Sequence, residues 1–101
     1  MISYKFPEEK AFILFFSEKI GDQSIPSLLD SSTPITHDDA KRISVFFWKM
    51  IDLAVELQQR EECPWPEGYE FWSEKVLQSI TAFLKKSGYD RVLSEASGHE
   101  G

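Results

Sequence analysis

THDDAKRISVFFWKMIDLAVELQQREE, residues 36–62, carries its apolar side chains at Ile43, Phe46, Phe47, Met50, Leu53, Ala54 and Leu57. That spacing of three and four residues puts all seven on one face of a helix. Thr36 is a good N-cap, and Asp39 three residues later completes a T-x-x-D variant of the capping box. Cys63 precedes Pro64 and is pushed towards an extended conformation, so the helix ends before it. The pattern predicts a helix over about 37–61, roughly 37 Å long at ~1.5 Å per residue. Trp48 and Val55, seven apart, share a second face off the main stripe, with Ile51 between that face and the core.

Downstream, ECPWPEGY (62–69) holds Pro64, Pro66 and Gly68 and reads as a tight turn carrying Trp65. A further helix is predicted over about 69–86, with Tyr69, Trp72, Val76, Ile80 and Phe83 as its stripe. Lys85 and Lys86 suit its last turn and Gly88 its termination. YDRVLSEAS (89–97) fits a short extra helix that docks Val92 and Leu93.

Upstream, Pro7 suits a first helical position, Glu8 and Glu9 the positive end of the dipole, and Gly21 the close. The helix over 7–20 is broadly apolar: Phe12, Ile13, Phe15, Phe16 and Ile20 cover an arc of about 160°, which Ala11 and Leu14 widen. Between the two helices lies GDQSIPSLLDSSTPIT (21–36), broken by Pro26 and Pro34. Within it SIPSLLD is expected to make one helical turn that packs Ile25, Leu28 and Leu29. Neither a strand pattern nor an internal repeat is visible. The fold class is therefore all-α: a small bundle of three main helices (about 7–20, 37–61, 69–86) plus one or two short helical turns. Residues 1–96 are expected to form a single helical domain, with 97–101 as a flexible tail. The short turn makes the second and third helices an antiparallel hairpin; the long connector leaves the direction of the first open.

Composition narrows the function classes. The 101 residues include 11 Lys+Arg and 17 Asp+Glu, a formal charge of −6. Aromatic residues make up 14 %, which supplies buried area that a disordered acidic tail lacks. The negative balance argues against a phosphate-backbone binder, which would bring excess Lys and Arg. Cys63 is the one cysteine, so no internal disulfide can form. The apolar run Ala11–Phe16 is too short for a signal peptide or a membrane span. A soluble, cytoplasmic protein is the expectation.

Motifs for chemistry are missing. His37, Asp38 and Asp39 are adjacent, but adjacent helical residues point about 100° apart, and capping explains them without a metal. Cys63 has Glu61 and Glu62 beside it, an acidic setting unlike that of a nucleophilic cysteine. His37 should lie at the other end of the helix, too far to act as its base. The predicted third helix exposes Glu70 and Glu74 in its first half, unlike a DNA-recognition helix. We therefore expect no catalytic residues, no metal and no cofactor.

The remaining signal is charge. Residues 56–74 hold Glu56, Glu61, Glu62, Glu67, Glu70 and Glu74 against the single Arg60, with Trp65, Tyr69, Phe71 and Trp72 interspersed. Rigid aromatics in an acidic field suit a partner-binding surface, because aromatics bury area at low entropic cost and carboxylates steer a basic partner. The bland alternative is that Trp65 caps the bundle end and the glutamates are simply solvated. The leading expectation is a non-catalytic interaction protein, most specifically an inhibitor of the immunity-protein or antitoxin type. It would occlude a basic partner such as a nuclease through Glu61, Glu62, Trp65, Glu67, Glu70, Phe71 and Glu74. The choice of that type is analogy of size, charge and compactness. The other expectation is a self-associating regulatory or adaptor subunit, pairing as a homodimer through Ile13, Leu14, Trp48 and Val55.

Overall fold

Four helices follow in chain order in the computed structural model, which describes residues 2–93: α1 (Pro7–Ile20), α2 (Ser24–Asp30), α3 (His37–Gln59) and α4 (Tyr69–Lys86). No strand occurs among the described residues. The α3 start follows its capping box: Asp39 N–H donates to Thr36 Oγ1 at 3.2 Å, and Thr36 N–H to Asp39 Oδ2 at 3.1 Å. Its end differs from expectation. The helix stops at Gln59, two residues early, because Glu61 takes a left-handed conformation (φ 60°). Glu61 N–H then donates to the Gln58 carbonyl and Glu62 N–H to the Leu57 carbonyl, both at 3.0 Å. This is a Schellman closure, and it satisfies the last carbonyls before Pro64 is reached.

The expected helical turn in the connector is a seven-residue helix, α2. It buries Ile25 and Leu29 and leaves Leu28 half-buried at the core edge. The core takes Phe12, Ile13 and Phe16 from α1, Ile43, Phe46, Phe47 and Met50 from α3, and Val76 and Ile80 from α4. Helix α1 runs counter to α4, which settles its direction: Glu9 near its start meets Ser79, whereas Phe12 and Phe16 further on meet Tyr69 at the start of α4. Chain segments outside the helices are tied down. Ile2 N–H donates to the Leu29 carbonyl at 2.8 Å, and Trp48 Nε1–H to the Leu93 carbonyl at 2.9 Å. Val92 and Leu93 are buried as expected. The expected boundary at residue 96 and the 97–101 tail lie outside the described residues.

Candidate functional site

The α3–α4 turn is assembled on Tyr69. Its ring is buried at the start of α4, and its hydroxyl donates to the Glu62 carbonyl, pinning the turn from beneath. Burial, with Cys63 and Glu62 adding to it, holds the phenol pKa above its ordinary value. Cys63 Sγ–H donates to the Trp65 carbonyl at 3.2 Å, and Gly68 N–H to the same oxygen at 3.1 Å.

Trp65 is not the free anchor that its place between two prolines suggested. Its indole is half-buried against α1, with ring centroids 5.1 Å from Phe12 and 5.2 Å from Phe15, and 6.2 Å from Tyr69. It plugs the bundle end, as the bland alternative held. The sequence left both readings of Trp65 open, because the contact with Phe12 and Phe15 depends on the direction of α1.

The carboxylates fare differently. Glu61, Glu62, Glu67, Glu70 and Glu74 are all exposed. None of the five has an ion-pair partner among the described residues; Arg60, beside Glu61 in sequence, binds Glu56 at 2.6 Å. Glu67 is engaged otherwise: its Oε1 accepts from Trp72 Nε1–H at 2.8 Å, so it holds the indole of a core residue. The others do not form one continuous surface. Glu61 and Glu62 border a depression shared with Phe15 and Lys19 of α1. Glu70 borders a groove of about 220 Å³ between α3 and α4, floored by Ile51, Ala54 and Val55. Glu74, one turn after Glu70, continues that flank. Phe71 is 41 % exposed, edge-on to Trp72 at 5.0 Å, with Lys75 Nζ 5.3 Å from its ring centroid.

The residues expected to form a dimer face are separated. Ile13 lies in the core at 1 % exposure, because α1 is covered on that side, while Leu14 points outward at 45 %. The Trp48 indole is half-buried and spends its N–H on the Leu93 carbonyl, so the C-terminal segment already uses it. Val55 remains open at 54 %.

One polar residue escaped sequence reasoning. Glu9, read as a solvated partner of the helix dipole, is fully buried. Its Oε2 accepts from Lys5 N–H and Phe6 N–H, each at 2.9 Å, and its Oε1 accepts from Ser79 Oγ–H. The signal was available: a glutamate at the third helical position can reach back to the N-cap amide. Tyr4, half-buried nearby, has its phenol pKa raised by burial first, then by the carboxylates of Asp30 and Glu9. Among the described residues no group of three or more His, Cys, Asp or Glu side chains is arranged to hold a metal ion. No helix among them is long and apolar enough to cross a membrane. Searches against family models, curated proteins and solved structures find no match to this chain.

Proposed function

We propose that this chain is a small acidic interaction module that docks a basic protein through the outer surface of the α3–α4 hairpin, without catalysing a reaction. The observation that carries this reading is the set of exposed glutamates left without ion-pair partners among the described residues, beside apolar surface. On one flank Glu70 borders a groove lined by Ile51, Ala54 and Val55, and Glu74 follows it one turn later on the same helix. Uncompensated carboxylates cost little in water, attract a cationic surface from a distance and are neutralised on contact. The apolar floor supplies area that leaves water when a partner lands. Trp65 takes no direct part; it keeps the turn in place. Within this class we favour an inhibitor of the immunity-protein or antitoxin kind, on the strength of size, net charge and the carboxylate-rich face. Such a protein acts in the cytoplasm by occluding a nucleic-acid-processing enzyme, its carboxylates standing where phosphates would.

The test is binding of the purified partner, first captured from the native host, to the double variant Glu70→Gln/Glu74→Gln by calorimetry. Affinity should fall and its dependence on salt should flatten. Affinity equal to that of the native chain would remove the hairpin as the interface. Self-association is the second reading, favoured by the exposure of Leu14 and Val55. Sedimentation that shows a strict monomer at micromolar concentration rules it out.

A further inference from the structure

The depression beside the turn differs from the rest of the acidic surface in its walls. It is an open depression of about 470 Å³, bordered by Phe15, Lys19, Glu61, Glu62, Cys63 and Pro64 among others. Phe15 forms a right-angled aromatic corner with Trp65, at 5.2 Å and 90°. An ammonium group already lies against that aromatic wall: Lys19 Nζ sits 5.1 Å from the Phe15 centroid. Lys19 follows Phe15 by one helical turn, so the contact is local to α1. The same ammonium makes no ion pair among the described residues, which leaves both turn carboxylates open. An aromatic face beside two free carboxylates is the composition that recognises an organic cation. Lys75 over Phe71 repeats the aromatic half of this arrangement on α4.

We propose that this depression is a subsite for a guanidinium group, presented by an arginine of the basic partner, and that Lys19 occupies the aromatic wall in the unbound protein. The inference rests on the function proposed above and names the side chain the surface recognises. A guanidinium suits it better than an ammonium. It is planar and weakly hydrated, it stacks on a ring face, and its fork of donors reaches two oxygens at once. Lys19, tethered to α1, places its charge over the ring without bonding to either carboxylate. An incoming arginine takes the ring and the carboxylates together, and Lys19 swings into solvent. Lys19 therefore competes with the ligand.

The test needs no partner. N-acetylarginine amide is titrated into the full chain while the backbone amide signals of Phe15, Glu62 and Cys63 are followed by NMR. Saturable shifts confined to these residues are expected. Lys19→Ala should tighten binding by about two- to fivefold, the factor set by one exposed cation–π contact. Glu61→Gln/Glu62→Gln should weaken it. Lys86→Ala, which removes the same charge at the far end of α4, should leave it unchanged. Shifts that drift equally at all exposed carboxylates would overturn the subsite. So would a Lys19→Ala response no larger than that of Lys86→Ala, or equal binding of N-acetyllysine amide. The two proposals fail separately. Saturable probe binding with a partner affinity indifferent to the hairpin glutamates keeps the subsite and removes the docking function. A partner that responds to Glu70 and Glu74, with no probe binding, does the reverse.

Discussion

Helices α3 and α4 close with the same hydrogen-bond pattern and different residues. At the end of α4, Gly88 sits at φ 88°, its N–H bonded to the Lys85 carbonyl and that of Tyr89 to the Leu84 carbonyl. At the end of α3, the equivalent left-handed position is Glu61. Glycine adopts that conformation freely, whereas a side chain there costs on the order of 1 kcal/mol. The α4 end is thus solved by backbone chemistry alone. The α3 end keeps a carboxylate at a strained position, next to Glu62 and above the Tyr69 hydroxyl. The difference teaches that the hairpin end is not optimised for stability, while the opposite end is built as a plain stop.

The largest expected effect lies at neither closure but between them, where α1 meets the middle of α4. Glu9→Ala removes the acceptor shared by Lys5 N–H, Phe6 N–H and Ser79 Oγ–H, and should destabilise by about 3 kcal/mol in urea unfolding. Trp65→Ala opens the hairpin end and leaves Phe12 and Phe15 without a cover; about 2–3 kcal/mol is expected, because the indole is only half-buried. The direct comparison comes next. Glu61→Gly should stabilise by about 1 kcal/mol, whereas Gly88→Ala should destabilise by about the same amount. If both substitutions shifted the midpoint in the same direction, the two closures would not be equivalent. The smallest effect concerns Tyr4. Its phenol pKa is raised in the folded chain by burial and by the Asp30 and Glu9 carboxylates. The unfolded chain therefore ionises first, near the ordinary value of 10.0. The corresponding stability is complete below that pH and is lost as pH rises towards the folded value. Tyr4→Phe should change stability by less than about 0.5 kcal/mol at neutral pH and flatten its decline in alkali.

Much of the fold was legible because its signals are local. The Thr36–Asp39 box, the Pro7 start, the Gly21 and Gly88 closures and the α3 stripe all act within a few residues. What stayed hidden depends on how helices meet. Glu9 is a surface residue until Ser79 arrives opposite it, and the choice between Trp65 as anchor and Trp65 as end cap waits on α1 turning Phe12 and Phe15 towards it. The early end of α3 was missed for a related reason: Pro64 is the visible stop, while Glu61 in a left-handed turn acts sooner. Of the candidate site, the exposure of Glu61, Glu62, Glu70 and Glu74 followed from helical phase and turn position. Their division between two flanks did not, because it is set by where Lys19 and Val55 project.

The most direct measurement is the association rate of the basic partner with the native chain and with Glu61→Gln/Glu62→Gln/Glu70→Gln/Glu74→Gln, across a range of ionic strength. The account predicts fast association that slows steeply with salt for the native chain, and a slower rate nearly independent of salt for the variant. Identical rates and identical salt slopes for the two proteins would contradict it.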